Sequence, residues 1–172
     1  MTPSDSPPPL SAAEDEVVGA LLAVSRVFVG VAARSLAELD EEVTLAQYRT
    51  LVVLVSRGPQ RIVDLAQELA VTSSTATRMC NRLVRKGLVA RTERESDRRA
   101  AWVTLTEPGR ALVGTVMGRR RDAVAGLVAD LSLTRPLAFA ATLNALAEAA
   151  GELSDAEWRR RWENACRPGT PE

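Results

Sequence analysis

The spacing of apolar residues divides this chain into helical stretches around one short segment with a different period. Over 12–39, apolar side chains recur every three or four residues, which predicts a long helix with Val17, Val24 and Phe28 on one face. That face must be buried, either in the core of this chain or against another subunit. Helical spacing also covers 45–57, 62–70 and 73–86, and it returns from Glu107 onward.

Between these helices, apolar and polar residues alternate. Val103 and Leu105 alternate with Trp102 and Thr104, which is the pattern of a strand with one buried face. The stretches 88–95 and 100–106 can pair across the "SDRR" turn as a β-hairpin. The chain is therefore predicted to be mainly α with a small β-hairpin.

Several helix starts carry polar residues that can cap them. Two pairs of residues have the spacing of a capping box, in which the side chain of each residue accepts from the backbone N–H of the other. They are Thr44 with Gln47 and Ser154 with Glu157. Thr72 is a suitable N-cap for the helix over 73–86. These caps separate the elements without long loops.

Composition and charge narrow the range of functions. The net charge is zero, but residues 72–106 contain eight basic and three acidic residues, so this segment carries +5 and the rest of the chain −5. A basic segment on an acidic body is typical of a protein with one surface that faces DNA. The alternative is a solvated helix face followed by an exposed hairpin.

The residue types that enzymes and metal sites use most are missing. The chain has no histidine, and its two cysteines, Cys80 and Cys166, form no CxxC pair. We therefore expect no catalytic residue, no metal and no cofactor. The apolar run 17–33 contains Arg26 and is too short to span a bilayer, and the start of the chain does not resemble a signal peptide, so a cytoplasmic location is expected.

The two helices over 62–70 and 73–86 have the order of a helix-turn-helix, whose second helix lies in the DNA major groove. Short hydroxyl side chains at the start of that helix let its backbone approach DNA, an arginine can bind a guanine, and a later arginine can contact phosphates. The alternative is that the hydroxyls are only caps. The predicted contacts are Ser73, Ser74, Thr75, Thr77, Arg78 and Arg82.

The hairpin supplies a second group of candidates. Arg98 and Arg99 in the turn can reach an adjacent minor groove, whose negative potential attracts arginine. Asp97 would repel DNA, so we expect it to pair with a nearby arginine and hold the loop. The alternative is a solvated turn with no function.

Three stretches resemble the MarR family of winged helix-turn-helix transcriptional regulators. They are "VTLAQYRTLVVL", "IVDLAQELAVTSSTATRMCNRLVRKGLV" and "RTERESDRRAAWVTLTEPGRAL", which together cover roughly 43–112. The string from Asp97 to Gly109, D-R-R…V-x-L-T-x-x-G, is the most specific part. A winged-helix module that binds another protein remains the alternative function.

The resemblance implies a homodimer that binds a pseudo-palindromic operator in double-stranded DNA. It also implies a repressor that a small aromatic effector releases. We expect Phe28, Tyr48 and Arg49 at that pocket; the alternative is core packing for Phe28 and Tyr48 and an exposed Arg49. The implied organisation is a tail over 1–11, a dimerisation helix over 12–42, the winged domain over 43–108, C-terminal dimerisation helices over 109–166 and a tail over 167–172.

The chain departs from the family pattern in three respects. Ala70 stands in the turn between the two helices, where the family often has glycine, and alanine is strained there if the position needs a positive φ. Val63 stands where a polar N-cap is usual, so the start of that helix is expected to be weakly capped. The cysteine that the peroxide-sensing branch carries in its first helix is absent here.

Overall fold

The computed structural model describes residues 9–39, 43–94 and 97–167, with the side chains of 93–101 outside the description. Within these residues the fold is mainly α with a small antiparallel sheet, which confirms the predicted fold class. The elements in chain order are α1 Ala12–Ala37, α2 Leu45–Arg57, β1 Gln60–Arg61, α3 Ile62–Glu68, α4 Ser73–Arg85, β2 Val89–Arg94, β3 Asp97–Leu105, α5 Glu107–Ala129, α6 Pro136–Ala149 and α7 Asp155–Cys166.

The sheet has β3 in its centre, with β1 and β2 antiparallel on either side. In the β2–β3 hairpin, Val89 lies opposite Leu105 and Arg91 opposite Val103. The two residues of β1 pair with the same region of β3, since Gln60 lies opposite Val103. The hairpin was predicted and is confirmed, whereas β1 is too short to produce a pattern in the sequence.

One of the two predicted capping boxes forms. Thr44 Oγ1 accepts from the Gln47 amide at 3.3 Å, and Gln47 Oε1 accepts from the Thr44 amide at 3.0 Å. Ser154 Oγ accepts from the Glu157 amide, but the Glu157 carboxylate binds Arg161 at 2.6 Å and does not return to Ser154. Of the second predicted box, only the bond to Ser154 forms and the returning bond from Glu157 was wrongly predicted. A charged guanidinium is a stronger partner for a carboxylate than a backbone N–H is.

Helix α3 begins at Ile62, as its spacing predicted, but its cap does not lie at Val63. Its N-cap is Arg61, whose side chain makes no capping bond, and Val63 lies inside the helix and not at its cap. The assignment of Val63 was wrong, although the weak cap was predicted. Asp64 in the first turn accepts two hydrogen bonds from Arg61, at 2.8 and 2.9 Å, and places a negative charge where the helix dipole favours one.

A single core joins the helices to the sheet. Its most deeply buried side chains come from α2, α3, α4, β2, β3 and α5, so no helix or strand in this group can shift without disturbing the others. They include Leu51 of α2, Leu65 of α3, Leu83 of α4, Val103 of β3 and Val113 of α5.

Large apolar side chains outside this core remain exposed, and we call them the apolar arm surface. They lie on α1, at the end of α5 and on α6, a helix that buries none of its residues. Large apolar residues exposed there include Val17, Leu22, Val24, Phe28, Leu127, Leu131, Leu137, Phe139, Leu143 and Leu146. Most of the face predicted on α1 is therefore not buried within this chain, and burial begins only near Val31.

Among the described residues, α1 has the length and hydropathy that would allow a helix to cross a membrane. A helix of a water-soluble protein that packs against another subunit has the same composition. The composition of α1 is therefore weak evidence for a membrane span.

A close contact fixes the start of α5 against the end of α4. Thr106 Oγ1 accepts from the Gly109 amide at 3.2 Å and donates to the Gly87 carbonyl at 2.6 Å. A Cβ at Gly109 would overlap with the Leu88 carbonyl oxygen and lie 2.9 Å from Cδ1 of Leu105. The junction therefore requires a threonine at position 106 and a glycine at position 109.

Replacing Gly109 with alanine is expected to destabilise the fold by about 2–3 kcal/mol, because the new methyl group meets backbone that cannot move away. Gly118→Ala is the matched control, since a Cβ there has nothing within 4 Å and helix propensity favours alanine by about 1 kcal/mol. Urea unfolding of both variants tests this. Equal stability of the two would contradict the proposed contact.

Candidate nucleic-acid interface

The turn between α3 and α4 has the hydrogen bonds of a Schellman motif. The Val71 amide donates to the Ala66 carbonyl at 2.9 Å, and the Ala70 amide donates to the Gln67 carbonyl at 3.0 Å. Ala70 adopts φ = 52°, the left-handed conformation that usually selects glycine. The prediction that this alanine is strained is confirmed, and its strain lies directly before the candidate recognition helix.

Helix α4 begins at a network of hydroxyl groups. Thr72 is its N-cap, as predicted, and its Oγ1 accepts from the Thr75 amide at 3.3 Å. The same oxygen lies 3.0 Å from Ser74 Oγ and 3.0 Å from Thr75 Oγ1. Thr72 therefore serves as the cap, and its neighbours Ser74 and Thr75 are hydrogen-bonded to it.

The faces of α4 are segregated. Ala76, Met79, Cys80 and Leu83 are buried, which confirms the predicted inward positions of Met79 and Leu83. The predicted contacts Ser73, Ser74, Arg78 and Arg82 are exposed, and Thr75 and Thr77 are half-buried at the edge of the same face. All six lie close together on the described structure, but whether they bind DNA stays a prediction.

Hydrogen bonds within the helix limit what each threonine can do. Thr77 Oγ1 donates to the Ser73 carbonyl at 2.8 Å, so its oxygen keeps only acceptor capacity. Thr75 Oγ1 accepts from Thr72 Oγ1 and from Arg78 Nη2 at 3.4 Å, which leaves its own hydroxyl proton available. Thr77 is therefore suited to a base amino group and Thr75 to a phosphate oxygen.

Cys80 lies on the inner face of this helix. Burial raises the pKa of its thiol above the ordinary value, and the nearby charge of Arg91 opposes that rise only in part. The thiolate, which is the reactive form, is therefore disfavoured. Cys166 is exposed on α7, far from this helix in sequence.

The two strands of the wing are paired as far as Arg94, which lies opposite Asp97 in the ladder. Arg98 and Arg99 belong to β3, so their predicted position in the turn was wrong. The side chains of Asp97, Arg98 and Arg99 lie outside the described part of the structure. Their roles in the minor groove and in holding the wing remain predictions.

A link between α4 and the wing was not anticipated. Arg91 Nη2 donates to Asn81 Oδ1 at 2.5 Å, and both residues are exposed. Helical spacing places Asn81 on the same face as Arg78, so the sequence could have identified Asn81 as a candidate interface residue. Its partner lies ten residues ahead on a strand, which no pattern in the sequence indicates.

All the charged residues of α4 and of its flanking segments over 69–92 are basic. The sequence contains no acidic residue between Glu68 and Glu93, although Arg78, Arg82, Arg85 and Lys86 all lie in that interval. In the part of the chain that the structure describes, every ion pair lies outside 69–92. Among the described residues, no ion pair therefore neutralises the positive charge of α4.

The three predicted effector residues occupy different environments. Phe28 is exposed on α1, and Tyr48 is buried, where burial raises the pKa of its hydroxyl and the charge of Arg120 partly opposes the rise. Arg49 is exposed and lines a cleft of about 200 Å³ with Trp158 and Glu68. The structure does not gather the three residues in one described cavity.

A separate apolar cleft lies between the end of α1 and the start of α2. Its volume is about 450 Å³, and Leu36, Leu39 and Val43 form part of its wall. None of the three predicted effector residues lines it. This cleft is large enough for a small aromatic molecule.

Comparison with known proteins identifies the arrangement. Residues 43–101, which span α2 to the wing, match the model of the MarR family. The chain belongs to this family. It is a transcriptional regulator with a DNA-binding winged helix and not an enzyme.

Similar proteins extend the match beyond the winged helix. The structure of RV1404 from Mycobacterium tuberculosis shares 35% identity and covers 85% of this chain and 99% of its own, with a TM-score of 0.77. The HTH-type transcriptional repressor MdtR of Bacillus subtilis (strain 168) is 29% identical over 75% of this chain and 84% of its own length. BpsR of Bordetella bronchiseptica, whose DNA binding is regulated by 6-hydroxynicotinic acid, shares 25% identity over 77% of this chain and 98% of its own, with a TM-score of 0.56.

Glycine at position 70 is expected to stabilise this MarR protein by about 1 kcal/mol, because it removes the cost of a left-handed alanine. Thermal unfolding of Ala70→Gly measures the gain. Ala111→Gly is the control, since Ala111 lies exposed inside α5 and glycine there should destabilise by about 1 kcal/mol. A loss of stability in both variants would show that Ala70 is not strained.

Proposed function

We propose that the protein is a homodimeric repressor that binds a pseudo-palindromic operator through α4 and the wing of each subunit, and that a small aromatic molecule releases it. The observation that carries the proposal is the exposed face of α4, which bears hydroxyls and arginines and lacks any acidic residue. In a helix-turn-helix, such a face lies against base edges and phosphates. A protein that acts on the chromosome in this way is expected in the cytoplasm.

Homodimer formation is supported by the apolar arm surface. α6 buries none of its residues, and Phe139 and Leu143 on it are exposed together with Val24 and Phe28 on α1. An apolar surface of this extent is typical of a permanent subunit interface. A two-fold dimer would present two α4 helices to half-sites about 34 Å apart, the repeat of B-form DNA.

Repression and effector release rest on the relatives and on the cleft at the end of α1. MdtR is a repressor, and the DNA binding of BpsR responds to an aromatic acid. An effector bound where α1 meets α2, near Leu36 and Val43, would tilt the dimer helices against the winged helix. A change of a few ångströms in the separation of the α4 helices would then weaken operator binding without unfolding the protein.

The test of this function begins with the operator. The purified protein is incubated with fragments of its own genome, the retained DNA is sequenced, and its own promoter is tested first by gel shift. We expect one inverted repeat to be enriched, and binding to it to weaken steeply as salt increases. A flat salt dependence would contradict DNA binding and favour a protein partner.

Arg78→Ala is expected to reduce affinity for the enriched site by about 1–3 kcal/mol and to change affinity for random DNA much less, because an arginine that binds a guanine contributes to sequence preference. Fluorescence anisotropy with both DNAs at one salt concentration measures this. Arg159→Ala removes an equal charge from α7 and serves as control. An equal loss on both DNAs would show that Arg78 does not contact bases.

Val24→Glu is expected to shift the protein from dimer to monomer, because it places a charge on the apolar arm surface. Val63→Glu is the matched control, since Val63 is equally exposed but lies on α3 within the winged helix. Sedimentation velocity at several concentrations distinguishes them. A wild-type protein that sediments as an 18.5 kDa monomer at all concentrations would refute the dimer.

A further inference from the structure

The hydrogen bond between Asn81 and Arg91 joins the two parts of the winged helix that approach DNA. Asn81 lies three residues after Arg78 and seven after Ser74, so all three share one face of α4. Arg91 lies on β2 opposite Val103, at the base of the wing. The 2.5 Å bond between Arg91 Nη2 and Asn81 Oδ1 therefore spans the junction of helix and wing.

The partner of Arg91 differs from those of the arginines that form ion pairs elsewhere in the described structure. Arg57, Arg61 and Arg110 each bind a carboxylate at 2.8 Å, and so do other arginines of α5 and α7. Within the described residues, Arg78 and Arg91 instead bind neutral oxygens, the Thr75 hydroxyl and the Asn81 amide. An amide oxygen orients a guanidinium without cancelling its charge.

The geometry of a winged helix places a DNA strand at this junction. When α4 lies in a major groove and the wing approaches the adjacent minor groove, the sugar–phosphate strand that separates the two grooves passes between them. Arg91 is exposed at that place and uses one of its five N–H groups on Asn81, so the remaining groups can bind a phosphate.

We propose that Arg91 binds the phosphate of the strand that runs between the recognition helix and the wing, and that Asn81 is a positioning residue that holds its guanidinium there. The proposal rests on the proposed DNA binding by α4. It adds two residues to the interface, and it assigns Asn81 a role in orientation and not in base reading. The contact is independent of DNA sequence, so it should contribute equally to operator and random DNA.

The first test measures affinity against salt concentration for wild type, Arg91→Ala and Arg91→Lys, on the enriched site and on random DNA. Loss of one phosphate contact should reduce the slope of log affinity against log salt by about 0.9 and lower affinity roughly three- to tenfold on both DNAs. Arg91→Lys keeps the charge and should retain the wild-type slope. Arg159→Ala should leave slope and affinity unchanged.

The second test separates positioning from simple bracing of the fold. Asn81→Ala frees the guanidinium but keeps its charge, so we expect a wild-type slope with affinity about two- to fivefold lower, because the side chain must then be ordered on binding. Asn81→Asp keeps the link as an ion pair and cancels the charge, so its slope should fall like that of Arg91→Ala. The double variant Asn81→Ala/Arg91→Ala should be no weaker than Arg91→Ala alone.

The outcomes are separable. If Arg91→Ala keeps the wild-type slope while Arg78→Ala loses sequence preference, the phosphate contact is refuted and the proposed function stands. If Asn81→Asp binds DNA like wild type, the positioning role is refuted. If wild type binds no DNA fragment at any salt concentration, both the contact and the proposed function fail.

Discussion

The hydroxyl of Thr106 is the point on which the geometry of the DNA-binding surface depends. It caps α5 through the Gly109 amide and donates to the Gly87 carbonyl, where α4 ends. The bare Cα of Gly109 lets α5 approach the Leu88 backbone so closely that no side chain fits between them. The end of the recognition helix, the first strand of the wing and the start of the long helix are thus fixed to one another. A displacement at the start of α5 would therefore be passed directly to the end of α4.

The net positive charge of a surface depends on which arginines are paired with carboxylates as well as on where the arginines lie in the sequence. A chain with no net charge can still bind a polyanion if its carboxylates neutralise the arginines of the body and leave those of one face alone. Glu157 illustrates the first part, since Arg161 and Arg160 hold the pKa of its carboxyl below the usual range. Arg78 and Arg91, with neutral oxygen partners, illustrate the second. These partners leave both arginines with a full positive charge, so the proposed DNA binding should weaken with salt.

Whether a contact could be predicted from the sequence depended on how far apart its two residues lie along the chain. The caps at Thr44 and Thr72 and the strain at Ala70 were predictable because they involve residues within five positions of one another. The two residues of β1 pair with β3 some forty positions ahead, and Arg161 donates to the Ser56 carbonyl from more than a hundred positions away. No local periodicity encodes such contacts. The link between Asn81 and Arg91 was missed for the same reason, because the strand pattern shows which face is buried but not which helix residue lies above it.

The exposed state of α6 has a consequence for folding as well as for assembly. A helix of 14 residues that buries none of them has little to stabilise it, since short isolated helices are marginal in water. Both ends of the segment that contains it are nevertheless attached to the winged helix, at Gly109 through α5 and at α7, where Trp158 and Trp162 pack against the core. Coverage of the apolar arm surface by a second copy would therefore order α6 and, in the same step, set the separation of the two recognition helices. Stability and operator fit would then depend together on protein concentration, because the same contacts between subunits would order α6 and set the spacing of the two α4 helices.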